Sequence, residues 1–264
     1  MRVLMFGWEF PPHIAGGLGT ACKGIVEGLA HNGVETLFVM PSASGDEDCS
    51  CTRIINASEV ASICYAPSVD DLLHNIRFMY VDSNLVPYTT DDEYFAAIED
   101  MKRRKVGETS IGFGQKFNFS GKYGANLMEE VTRYAMVAGS IAMEHEGEFD
   151  VIHAHDWLTY LAGIAAKRVS GKPLVIHVHA TEFDRTANGV NTEVFKLEKM
   201  GMEEADKVIT VSNLTRNIVI NKYGIDPSKV VTVHNAVDFS GRDEIEVKRG
   251  VQEKVITFLG RITF

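Results

Sequence analysis

Cysteine is scarce in this 264-residue chain, with four in all, and none of them stands in a CxxC pair. Cys49-Ser-Cys51 has no second pair and no nearby histidines of zinc-ligand spacing, and Cys22 and Cys64 lie apart from it. All four therefore read as free thiols. Positive charge is also short. The 26 Lys and Arg face 36 Asp and Glu, for a net charge of −10, which argues against a nucleic-acid or anionic-membrane surface. No apolar run approaches the roughly 20 residues of a membrane-spanning helix. The start, Met1-Arg-Val-Leu-Met-Phe-Gly-Trp, lacks the apolar core and small-residue cleavage site of a signal peptide. The expectation is a cytoplasmic protein with no nucleic acid and no membrane span. The sequon Asn213-Leu-Thr215 then carries no meaning. No repeat of fixed period occurs.

What is present is apolar content of 45%, ample for a core in one large domain or two small ones. One grammar recurs: a short apolar run ending in polar residues, then a helical pattern. Strands are expected over 3–6, 36–40, 151–152, 174–176, 207–211 and 229–233. Helices are expected over 21–30, 126–145, 159–169, 193–205 and 214–223, the last closed by Gly224. Strand followed by helix, repeated, implies an α/β fold: a Rossmann-like, doubly wound parallel sheet covered on both faces. Between 42 and 123 the pattern loosens, with a helical stretch at 91–104 and a glycine-rich stretch at 107–124. A last apolar run at 255–259 is followed by no helix. This predicts a first domain at 1–253 and the start of a second, cut short, at 254–264.

In such sheets ligands bind at the carboxyl ends of the strands, and every conspicuous polar cluster falls at such an end. The first strand leads into Pro11-Pro-His-Ile-Ala-Gly-Gly-Leu-Gly19 and a helix. Adjacent glycines and free amides at a helix start suit a diphosphate, although the spacing is neither GxGxxG nor the phosphate-loop pattern. His153-Ala-His155-Asp156-Trp157 ends another strand. Two histidines at i and i+2 point the same way, but a metal would need a third ligand from elsewhere, so a hydroxyl-binding or orienting role is the better reading and no metal is expected. In His177-Val-His179-Ala-Thr-Glu182-Phe-Asp184-Arg185, the two carboxylates lie too close in one loop to promise a hydrolase pair, and Arg185 has either as a structural partner. Asp46-Glu-Asp48 matches a DxD metal motif in form, yet its polar surroundings mark a solvated turn.

Taken in order, these motifs resemble the amino-terminal half of a GT-B glycosyltransferase. Trp8-Glu-Phe-Pro-Pro-His-Ile-Ala-Gly-Gly-Leu-Gly19 is similar to the entry loop of the glycogen/starch synthase-like members of families 4 and 5. His153–Trp157, His179–Arg185, Val211-Ser-Asn213, His234-Asn-Ala-Val-Asp238 and Phe258-Leu-Gly-Arg261 follow in the family's order. The resemblance implies a two-domain enzyme whose amino-terminal half holds the acceptor, with the missing carboxyl-terminal domain binding most of the donor. It implies a retaining hexosyltransferase that moves glucose from ADP-glucose or UDP-glucose to an α-1,4-glucan, without a cofactor, and a fragment that is inactive alone. Gly16 and Gly17, with Arg261, would bind the donor phosphates. His179 and Asp156 would serve catalysis beside the transferred sugar. His155, Trp157, Glu182, Asn213 and Asn235 would bind substrate. Two positions depart from family 5: Ile14 and Thr20 stand where its members carry a lysine and an aspartate. That leaves room for a family 4 enzyme with another sugar donor or acceptor, or for a non-catalytic carbohydrate-binding domain.

Overall fold

The computed structural model describes residues 1–61, 116–124, 126–186 and 189–236. The expected helix at 91–104, the strand at 255–259, Cys64, Arg261 and the boundary between 253 and 254 lie outside the described residues.

Seven strands form one all-parallel sheet: β1 (Arg2–Phe6), β2 (Glu35–Met40), β3 (Arg53–Asn56), β4 (Val151–His155), β5 (Leu174–Val178), β6 (Lys207–Thr210) and β7 (Val230–Thr232). Their spatial order is β3-β2-β1-β4-β5-β6-β7. The chain therefore starts in the middle, winds outward to β3, and returns to the other side of β1 to begin β4. The order reverses between β1 and β4, and a crevice at the carboxyl ends of the strands opens at such a point.

Strand β3 was not expected, because Arg-Ile-Ile-Asn is a short edge segment with a polar residue at each end. Strand β7 starts one residue later than expected. Pro227–Lys229 forms a 3-10 turn, with the Asp226 side chain accepting from the Ser228 amide.

The helices are α1 (Gly17–His31), α2 (Leu127–Glu144), α3 (Trp157–Ser170), α4 (Glu182–Arg185), α5 (Thr192–Glu204) and α6 (Asn213–Tyr223). Their ends follow local chemistry. The Asn191 side chain accepts from the amides of Glu193 and Val194 to start α5, and Ser212 accepts from Thr215 to start α6. Gly171 and Gly224 close α3 and α6 in the left-handed conformation, at φ 67° and 73°. The residues at 182–185, read from sequence as loop, make a single helical turn. Its Thr181 and Asp184 form a reciprocal capping box.

Alternation along the strands sorts side chains to the two faces. Leu4, Phe6, Ile152, Ala154, Leu174 and Ile176 join the larger core with α2 and α3. Val3, Met5, Phe38 and Met40 face the other way, onto Cys22 and Val26 of α1. Tyr134 of α2 is fully buried, and its hydroxyl donates to the carbonyls of Val39 (2.8 Å) and Gly7 (3.2 Å). It ties the carboxyl ends of β1 and β2 together. Burial of such a side chain contributes on the order of 2 kcal/mol.

Candidate functional site

The crevice at the strand-order reversal is a cleft of about 490 Å³. One wall is the segment after β1, with Glu9, Gly16, Gly17 and Leu18. The facing wall comes from the ends of β4 and β5, with Asp156, Trp157, His179 and Arg185, and Asn235 lies at the rim.

On the first wall, Glu9 is buried and spends both carboxylate oxygens on backbone. Oε2 accepts from the Ala15 amide at 2.8 Å, and Oε1 from the Gly19 amide at 3.1 Å. This braces the glycine loop from within. The amides of Gly16, Gly17 and Leu18 have no partner among the described residues, and they stand at the positive end of a 15-residue helix. An anion is the natural ligand of that arrangement.

On the second wall, Asp156 is held at φ 57°, ψ 168°, the one positive-φ non-glycine residue described. This strained conformation turns its carboxylate across to the β5 side. There Oδ1 accepts from the amides of His179 (2.7 Å) and Ala180 (3.4 Å). Burial pushes the Asp156 carboxyl up to about 6, against the opposing pull of Arg185 and the two amides. His179 turns toward the cleft, and its Nε2 lies 3.0 Å from Nδ1 of His155. Burial pushes the His179 imidazole down to about 4, so the ring is neutral near pH 7 and offers one donor and one acceptor.

Arg185 forms the floor. Its guanidinium donates to the Ala180 carbonyl (3.1 Å) and to Glu182 (3.3 Å), and pairs closely with Glu198, which also receives the Tyr223 hydroxyl. Of the two carboxylates open to Arg185 from sequence, Glu182 takes the pair; Asp184 is occupied in the capping box.

The residues expected from sequence thus divide. Gly16, Gly17, Asp156, Trp157, His179 and Asn235 converge on the cleft. His155 is fully buried and reaches it only through His179. Glu182 is 2% exposed, its oxygens engaged by Arg185 and the Asn191 amide (3.1 Å), so it builds the floor and does not face a ligand. Asn213 is exposed in the first turn of α6, away from the cleft lining. Arg261 lies outside the described residues. Asp46 and Asp48 are in a surface loop, with His13 at 2.7 Å from Asp46 and Lys23 at 3.0 Å from Asp48, as a solvated turn requires. Sequence reading did not single out Glu9, which carries the loop. Its one signal is a carboxylate set between the large apolar residues Trp8 and Phe10, both buried.

Residues 118–240 match the family model described as Glycosyltransferase Family 4. Over 278 aligned residues the chain is 25% identical to an uncharacterized glycosyltransferase of Methanocaldococcus jannaschii, covering 100% of this chain and 56% of that protein. It is 22% identical over 242 residues to a glycogen synthase of Mycobacterium tuberculosis, covering 90% of this chain and 49% of that one. The chain spans about half the length of these curated relatives. Among solved structures it is similar to the catalytic domain of starch synthase IV from Arabidopsis thaliana, at a TM-score of 0.47 and 14% identity, over 90% of this chain and 52% of that one. The chain is thus similar to glycosyltransferases, a glycogen synthase among them, and its match to the family 4 model spans residues 118–240.

Proposed function

We propose that this chain is the acceptor-side half of a retaining, cytoplasmic glycosyltransferase that moves glucose from ADP-glucose or UDP-glucose to an α-1,4-glucan. The observation that carries the reading is the glycine loop. Glu9 takes the flanking amides of Ala15 and Gly19, and those of Gly16, Gly17 and Leu18 are left at a helix start on the cleft wall. Three amides and a helix dipole neutralise a leaving diphosphate without a divalent ion at that position. On this reading no cofactor takes part, and the remaining phosphate contacts, Arg261 among them, come from a donor-side half.

The opposite wall supplies orientation. His179 orients and polarises the transferred sugar, Asp156 holds the His179 backbone in place, and Trp157 and Asn235 bound the sugar site. No protein nucleophile is assigned. The leaving diphosphate takes the proton of the acceptor hydroxyl as the new glycosidic bond forms, on the face the diphosphate leaves.

The test is nucleotide release from ADP-glucose and UDP-glucose by the full-length protein, with and without glycogen. Release that depends on glycogen supports the proposal; no release with either donor overturns it. A second reading rests on Ile14 and Thr20, which replace the lysine and aspartate of the family 5 loop, and on the match to the family 4 model. It is a family 4 transferase with a different sugar donor or acceptor. Release from another nucleotide sugar, independent of glycogen, marks that case.

A further inference from the structure

Four imidazoles stand together on the sheet face opposite the larger core. His153 and His155 share one side of β4, and His177 and His179 continue the same side along β5 and just past it, with His155 and His177 paired in register. The rings stack: His153 and His177 are 5.4 Å apart at 11°, and His177 and His179 are 4.4 Å apart at 18°. His155 and His179 are hydrogen-bonded to each other, but the rest of the cluster is poorly satisfied. Nε2 of His153, Nε2 of His155 and both ring nitrogens of His177 are buried with no hydrogen-bond partner. Each such orphan is destabilising, and folded proteins rarely tolerate several in one place. One ligand atom from each of His153, His155 and His177 lies within 4.8 Å of the other two.

We propose that His153, His155 and His177 form a buried three-imidazole site for a first-row transition-metal dication, zinc above all. Three neutral nitrogen donors without a carboxylate disfavour magnesium and calcium and suit zinc, with a water or hydroxide as fourth ligand. Tetrahedral coordination at about 2.0–2.1 Å places ligand nitrogens about 3.4 Å apart, a contraction that small rotations of the three side chains supply. The fold also provides the supporting hydrogen bond. With metal on Nε2 of His155, its Nδ1–H donates to Nε2 of His179 across the 3.0 Å contact. That sets the tautomer of His179 and turns its Nδ1–H toward the cleft. The metal is structural; it lies behind the cleft wall and enters no step of transfer.

The experiment is metal binding by the protein prepared without a polyhistidine tag and stripped with chelator. Titration with zinc or cobalt is expected to reach one equivalent per chain and to raise the unfolding midpoint, with cobalt giving the intense visible bands of four-coordinate geometry. His153→Phe and His177→Phe should each weaken binding by about 100-fold or more, while a His13→Ala/His145→Ala surface variant binds as wild type. If a phenylalanine variant does not fold, the corresponding asparagine variant serves. The proposal is overturned if wild type takes up no stoichiometric metal. It is equally overturned if the variants bind as wild type does, or if His177→Phe stabilises the stripped protein while metal shifts neither midpoint. None of these readouts involves sugar transfer, so the result stands apart from the proposed activity.

Discussion

The Nε2 atom of His179 sits 3.0 Å from Nδ1 of His155, so a ring on the cleft wall is aimed by a fully buried ring beneath it. A ring held at one nitrogen presents only the other to a ligand, and this fixes its direction before substrate arrives.

His179→Ala should therefore lower transfer by more than about tenfold, which is about 1.4 kcal/mol of barrier. The loss should appear in kcat at least as much as in KM, because in the proposed function the ring orients the reacting sugar. Steady-state kinetics with the full-length protein decides it; near-wild-type turnover removes His179 from the mechanism.

Asp156 combines three costs: a positive φ, partial removal from water, and a charge that burial resists. Asparagine matches aspartate in shape and keeps an oxygen for the His179 amide, yet carries no charge. Asp156→Asn is expected to unfold at the same temperature as wild type or higher, while transfer falls more than about tenfold. Thermal melts paired with initial rates test this. A variant that is both destabilised and active would show the strain to be structural only.

The frame of this site was legible in the residues, and its wiring was not. Strands β1, β2, β4 and β5 are largely buried on both faces, and with β6 they stand out as apolar runs ending at polar clusters. That placed Gly16, Asp156 and His179 at one edge of a parallel sheet. Three kinds of information were missing. The meeting of His177 with His153 and His155 depends on the register between β4 and β5, a non-local property that neither segment states alone. The partners of Glu9 lie six and ten residues ahead in a loop without periodicity. Glu182 has the composition of a ligand-binding carboxylate, and only the placement of Arg185 and the Asn191 amide shows both its oxygens occupied.

Glu9→Gln isolates the brace under the glycine loop. Both oxygens accept a backbone N–H, so an amide nitrogen at either position faces a donor with a donor. One amide then goes unsatisfied, at a cost of about 1–3 kcal/mol. The urea midpoint should drop accordingly, and donor binding should weaken as the loop loosens. An unchanged midpoint would show that Glu9 does not hold the loop.

Gly17 and Gly19 separate the role of the loop in binding from its role in folding. A Cβ on Gly17 meets nothing within 4 Å, and the residue lines the cleft. Gly17→Ala should fold normally, with an unfolding midpoint equal to wild type or slightly higher, because alanine is the better helix former. Its methyl group stands where a diphosphate would approach the amides, so KM for the nucleotide sugar should rise more than about tenfold. That is about 1.4 kcal/mol of lost binding. A Cβ on Gly19 behaves differently. It would overlap Cγ2 of Ile14 and lie 3.1 Å from Cγ of Glu9 and 3.3 Å from the Glu9 carbonyl oxygen. Gly19→Ala must displace Glu9 or Ile14, at about 1–3 kcal/mol, and lower the midpoint by several degrees. Its kinetic defect should follow from that disturbance and be partly relieved at lower temperature. The contrast is the test: if Gly17→Ala binds donor as wild type does, the loop is a folding element alone, and the proposed diphosphate site is lost with it.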